Sequence, residues 1–320
     1  MFNIHQRQQD PRHKQTTERN APTLAESAVT VVIWFLLALT FNGLIWWWKG
    51  GTAGLQFSAG YLLEWSLSMD NVFAFAVIFR YFQVPIVYQH RILYWGILGA
   101  VLMRLAFILA GVALISRFQL ILPLFGLFLI YTGYRLAWHS SDRIDPQRNL
   151  VFRLARRWLP LAESRVGFSP PVQEGGLKPT LQAVDYGGRF LVRQAGRLRI
   201  APPLLVLLVV ESTDLLFAVD SVPAIFGITR DPLIIFTSNV FAILGLRALY
   251  FLLAGVMDLF RYLHYGLAAV LAFVGLKMVA EGWLQYEGGT EIMPIWASLA
   301  VIAALVGAAI VASVLAGRRD

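Results

Sequence analysis

The sequence predicts an all-α polytopic transmembrane helix bundle of about eight spans, with two inverted three-helix repeats inside it. Three observations carry this. Charged residues make up only 14% of the chain against 58% hydrophobic ones, where a soluble domain carries about 25% charged residues. Eight separate stretches stay apolar over the roughly 20 residues that one bilayer crossing needs. Finally, the stretch EWSLSMDNVF, Glu64 to Phe73, returns in altered form as ESTDLLFAVDSVPAIF, Glu211 to Phe226.

The elements follow in order along the chain. Residues 1–28 form a polar segment with Arg7, Arg12, Lys14 and Arg19 and no apolar run, so they make neither a cleavable signal nor a span. The first span, 29–48, closes on Trp46-Trp47-Trp48, read as an aromatic belt at the membrane boundary. Residues 60–139 hold the first repeat, with spans at 60–80, 91–115 and 119–138. The stretch 140–199 is a basic loop, broken by SPP, EGG and YGG. Residues 200–284 hold the second repeat, with spans at 200–226, 233–255 and 263–284. A last span covers 292–316.

Charge sets the orientation. Of the net charge of +8, the loop 140–199 carries eleven Lys/Arg against five Asp/Glu, hence +6. A basic loop beside apolar spans marks a cytoplasmic face rather than a nucleic-acid surface. With both termini inside, the inner connections hold Arg80, Arg91, this loop, Arg261, Arg318 and Arg319, while the outer ones hold only Lys49, Arg117 and Arg230. The lipid bilayer is the first partner, nucleic acid is excluded, and the loop offers a docking place for a protein. The absence of cysteine rules out disulfides, thiolate metal sites and cysteine nucleophiles. There is no phosphate loop, no Ser/His/Asp order and no zinc-protease motif, so no enzyme is expected.

The two quoted stretches are copies. Asp70-Asn71-Val72 aligns with Asp220-Ser221-Val222 at an offset of 150, and at the same offset Glu64 falls on Asp214. Arg104 then matches Arg247, Gly111 matches Gly255, and GYR at 133–135 matches GLK at 275–277, with small slips. Each copy holds three spans. Three is odd, so the second copy enters from the opposite side, the plan of many secondary transporters, whose site lies at the repeat interface near the midplane.

Five acids, Glu64, Asp70, Glu211, Asp214 and Asp220, fall inside spans. An ionised side chain there costs roughly 2.5–3.5 kcal/mol, so five unpaired ones would cost on the order of 12–17 kcal/mol. That rivals the whole stability of a typical domain, about 5–15 kcal/mol. They are compensated, or they are sites. Midspan Arg104 and Arg247 are expected to neutralise two of them, leaving about three negative charges for a divalent cation and a proton. Glu211 and Asp214, three apart, share a helical face. Glu64 and Asp70 lie six apart, about 240° around, as do Asp214 and Asp220. Either the helix is broken, with Pro223 as the breaker in the second copy, or the ion path is long.

Carboxylate, amide and carbonyl oxygens suit Mg²⁺, Ca²⁺ and Mn²⁺. Asn71 and Ser221 would add neutral oxygens. Met69 is read as packing, with a thioether ligand as the rarer alternative. Arg135 and Lys277, near span ends, are expected to reach the headgroups. Asn239 is open between ligand and interhelical hydrogen bond.

At these residues a family resemblance emerges. EWSLSMDNVFAFAVIFRYFQVP and VVESTDLLFAVDSVPAIFGITRDPLIIFTSNVFAILGLRALYFLLAG resemble the TerC family of bacterial integral membrane proteins, and within it the alkali-inducible, Alx-like branch, over roughly 30–316. The resemblance implies a multi-pass protein of the bacterial inner membrane, linked to tellurite resistance by name and to manganese export. It also implies that the acids of each repeat's first helix carry the ion. Members of this branch commonly begin with an additional span, where this chain has a polar segment.

The functional expectation is therefore a transporter exporting a divalent cation, Mn²⁺ first, by alternating access and with proton coupling. The metal set is Glu64, Asp70, Asn71, Glu211, Asp214, Asp220 and Ser221, with Arg104 and Arg247 balancing charge. There is no resident cofactor. The alternatives are a membrane scaffold with structural acids, and a tellurite or metalloid efflux protein.

Overall fold

The computed structural model describes residues 23–118, 120–138, 150–158, 190–194, 197–253, 262–286 and 292–317. Eight helices within them are long and apolar enough to cross a membrane: α1 (Leu24–Lys49), α2 (Gly51–Tyr81), α3 (Ile86–Arg117), α4 (Ile121–Trp138), α6 (Pro202–Phe226), α7 (Pro232–Leu253), α8 (Leu263–Tyr286) and α9 (Ile295–Gly317). The short α5 (Leu150–Trp158) and the strands β1 (Leu191–Gln194) and β2 (Arg197–Ile200) are the other elements among the described residues. All eight expected spans are present. Both chain ends, as sequence segments 1–22 and 318–320, lie outside the described residues.

α1 starts where the chemistry of a helix end says it should. Thr23 accepts the Glu26 backbone N–H at 3.2 Å while the Glu26 carboxylate accepts the Thr23 N–H at 2.8 Å, a reciprocal cap. The loop expected between 48 and 60 shrinks to a single residue. Gly50 takes φ 91°, its N–H reaches back to the Trp46 carbonyl, and α2 begins at Gly51. A side chain at that φ is strained, so glycine is what permits the tight reversal. Trp46 folds into this corner, where a Cβ on Gly54 would lie 2.6 Å from its ring, while Trp47 and Trp48 point outward.

Burial ranks the helices. In α2, 67% of the apolar window is buried and in α7 56%, against 11% in α1 and 22% in α9. α2 and α7 therefore form the centre, and α1 and α9 face lipid. The first helix of each half packs on the second helix of the other: α2 on α7, and α3 on α6. α2 also meets α6, α3 meets α7, and α4 pairs most extensively with α8. That last pair is antiparallel, since Gly126 meets Gly275, Gly133 meets Ala268, and Gly282 meets Pro123. A Cβ on either Gly126 or Gly275 would fall 2.6 Å from the other's carbonyl oxygen. Without a hydrophobic drive between helices in lipid, this backbone contact holds them by close packing.

The stretch read as a loop, 140–199, contains structure at both ends. α5 is amphipathic and lays Phe152 and Ala155 into the core, with Phe152 edge-on to Phe82 at 5.5 Å. β1 and β2 form an antiparallel hairpin pairing Leu191 with Ile200 and Gln194 with Arg197, and the Ala201 N–H then donates to the Phe190 carbonyl. Turn residues signalled breaks, but four-residue strands carry too little pattern to be read. Lys277, expected at the headgroups, is instead half-buried and donates to the Gly227 carbonyl at 3.1 Å, with Glu281 at 3.5 Å. It satisfies the end of α6, whose last carbonyls have no intrahelical partner.

Candidate functional site

α2 and α6 are both continuous, and Pro223 stays within α6. Of the two alternatives, a broken helix or a long path, the break is absent. In unbroken helices a residue shares its face with the one seven later, two turns on. Glu64 and Asn71 thus form one face of α2, and Asp214 and Ser221 the equivalent face of α6. All four are buried, at 0%, 1%, 2% and 1% exposure.

The two faces meet crosswise. The Asn71 amide donates to Asp214 Oδ1 at 3.2 Å. At the other end Arg104, from α3, joins Glu64 to Ser221. Its Nη1 donates to Glu64 Oε2 at 2.6 Å and to Ser221 Oγ at 3.0 Å, and its Nη2 lies 3.6 Å from Asp214 Oδ1. Asn239 of α7 closes the ring by donating to Glu64 Oε1 at 2.7 Å. Four helices thus converge on two carboxylates and one guanidinium. A charge-assisted, fully enclosed network of this kind avoids the cost of bare ions in lipid.

Several oxygens in it remain unsatisfied. Asp214 Oδ2, Asn71 Oδ1 and Asn239 Oδ1 are buried with no hydrogen-bond partner, as is Ser68 Oγ one turn from Glu64 on the same helix. Buried polar atoms without partners are few in native proteins, and each asks for an explanation. Glu211, three residues before Asp214, leans on α3, and its Oε2 has no partner either. A Cβ on Gly99 would fall 2.1 Å from Glu211 Oε1, so only glycine there leaves room for the carboxylate.

The seven expected ligands therefore divide. Glu64, Asn71, Asp214 and Ser221 come together with Arg104. Glu211 stands beside them, half-buried. Asp70 and Asp220 are half-buried on other faces of the same two helices, six residues being the wrong interval for convergence. Among the described residues no three His, Cys, Asp or Glu side chains cluster as a metal site. Met69 is buried in the hydrophobic core, as packing requires.

Arg247 corrects an expectation. It is exposed on α7 and lines a separate cavity with His90, so it does not balance the acids. Repeat position placed it opposite Arg104, but α7 presents Asn239 to the cluster and turns Arg247 outward. Asn239 and Gly99 are the site residues that sequence reasoning did not assign. For Asn239 the signal was a lone amide in an apolar run. Gly99 carried none.

The pattern of the family described as Integral membrane protein TerC family matches residues 49–320. This chain belongs to the TerC family. Relatives of this TerC-family protein include a membrane protein of Myxococcus xanthus, STKORF319, 45% identical over 89% of this chain and 81% of its own. A protein of Escherichia coli K12, provisionally named membrane-bound redox modulator Alx, is 41% identical over 88% and 82%. The chloroplast thylakoid membrane protein TERC of Arabidopsis thaliana is 37% identical over 88% and 66%. No solved structure matches the chain.

Proposed function

We propose that this protein is a transporter of the bacterial inner membrane, with both termini in the cytoplasm, that exports a divalent cation, Mn²⁺ first, by alternating access of its two halves. The observation that carries the reading is the buried cluster of Glu64, Asp214, Asn71, Asn239 and Ser221, whose spare oxygens, Asp214 Oδ2, Asn71 Oδ1 and Asn239 Oδ1, are donors of the kind hard cations take. Nitrogen and sulfur ligands are absent from it. Two carboxylates against one guanidinium leave a formal charge of −1 where lipid would exclude it. Arg104 sits where the cargo would sit, as a tethered cation. Entry of a divalent ion displaces it from Asp214, and a further acid, Glu211, Asp70 or Asp220, balances the added charge along the path. Glu211, beside the cluster, is the choice for a counter-proton.

The crosswise contacts support inverted repeats. Glu64 and Asp214 correspond at an offset of 150, as do Asn71 and Ser221. The contact from Asn71 to Asp214 thus has its counterpart in the bridge from Glu64 through Arg104 to Ser221. The helix pairing α2 on α7 and α3 on α6 has the same two-fold sense, which suits rocking of one half against the other. The test is metal flux in proteoliposomes over a panel of divalent ions. Wild type should carry Mn²⁺, while Asp214→Asn, Asp70→Asn and Asp220→Asn should insert normally and lose flux. Unchanged flux in Asp214→Asn would remove the cluster from the transport path.

A further inference from the structure

Arg247 raises a problem that transport does not solve. It lies on α7 six residues, about 9 Å, before Leu253, the last residue described for that helix, within a membrane span. Among the described residues it makes no hydrogen bond and no ion pair. A guanidinium at such depth is unfavourable unless an anion meets it. Nearby, His90 Nδ1 is buried without a partner, and the His90 ring is stacked on Phe251 at 4.1 Å. Both residues line a cavity of about 560 Å³ bounded by α1, α3 and α7.

The cavity is graded along the membrane normal. At the end shared by the start of α1, the start of α3 and the end of α7 stand Ser27, His90 and Arg247. These lie about 4 to 9 Å in from their helix ends. Deeper, Leu244, Leu98 and Val101 line it, about 14 to 22 Å in. Polar and cationic outside, aliphatic inside, is the order of a phospholipid. We infer that this cavity binds one anionic phospholipid of the leaflet on the N-terminal side, its phosphate held by Arg247 and His90 and an acyl chain laid along Leu98, Val101 and Leu244. The depth of the aliphatic part excludes a small free anion as sufficient ligand, and the unpaired guanidinium selects against a zwitterionic headgroup, whose own cation competes. α1, otherwise little buried, would be clamped to α3 and α7 by the lipid.

The experiment uses the full chain, delipidated in detergent. Native mass spectrometry and thermal melts are run with added phosphatidylglycerol, phosphatidylcholine or inorganic phosphate. Wild type should retain one phosphatidylglycerol and melt higher with it, and should bind phosphatidylcholine about fivefold more weakly, the factor expected for one headgroup charge. Arg247→Leu should erase that preference. Val101→Trp, which keeps the cation and fills the chain's place, should weaken both lipids. Equal binding of the two lipids by wild type, a full shift with inorganic phosphate alone, or unaltered lipid binding by Val101→Trp would each overturn the inference. None of these readouts depends on cation flux, so failure here leaves the transport reading standing, and the reverse.

Discussion

Replacing Arg104 by leucine isolates what the buried network contributes. The guanidinium is 1% exposed and holds Glu64 at 2.6 Å, Ser221 at 3.0 Å and Asp214 at 3.6 Å. Its loss leaves two carboxylates buried without a counter-charge. Breaking a buried pair from one side costs about 3–5 kcal/mol, a large part of the roughly 5–15 kcal/mol that holds a domain together. Arg104→Leu should therefore melt well below wild type in detergent. Adding Glu64→Gln removes one of the stranded charges, and the double variant should recover about 1–3 kcal/mol relative to the sum of the single effects. Mn²⁺ supplies a second test, because a cation bound only by the folded state stabilises it by about 2.7 kcal/mol at a hundred times its Kd. Saturating Mn²⁺ should raise the melting temperature of Arg104→Leu more than that of wild type, since the ion replaces the missing guanidinium. Arg247→Leu is the matched control and should show no such gain, because Arg247 stands away from the acids. Additive losses in the double variant, or an Mn²⁺ shift no larger than wild type's, would refute the pairing and the displacement argument together.

Gly99→Ala should fold, because the 2.1 Å conflict falls on the flexible end of Glu211, but the displaced carboxylate should cut Mn²⁺ flux severalfold in proteoliposomes. Gly275→Ala meets a backbone carbonyl at 2.6 Å instead, so α4 and α8 must part, at about 1–3 kcal/mol, read as a lower melting temperature. Asp231 tests pH dependence outside the spans. Partial burial pushes its carboxyl up, but the Lys49 ammonium and the Leu233 N–H outweigh this and hold it below the usual carboxylate range. A depressed folded value means stability present above the unfolded pKa and lost as pH falls through the folded one. Asp231→Asn keeps an acceptor for Leu233, so it should cost at most about 1 kcal/mol at neutral pH and nothing in acid, by thermal melts at both. Single cysteines placed across 145–195 should react only from the cytoplasmic side, and periplasmic labelling would reverse the orientation.

Eight spans and the presence of acids within them were legible because a membrane makes them one-dimensional properties, although the starts of α1, α2 and α3 lie five to nine residues earlier than expected. Twenty apolar residues cross it, and a charge inside it is costly wherever the helix turns. The correspondence of Glu64 with Asp214, and of Asn71 with Ser221, was equally readable as an alignment. Which of these residues meet was not. Their seven-residue spacing was available as a signal, yet it became decisive only once α2 and α6 proved continuous and crossed with those faces inward. Tertiary packing also separated Arg104 from Arg247, which the repeat had made equivalent. α3 points its arginine into the ring of acids, whereas α7 fills that place with Asn239 and leaves its arginine facing a separate cavity. A helix has one rotation about its axis, set by all its neighbours at once, so two residues at equivalent positions in a repeat can end on opposite sides of the wall.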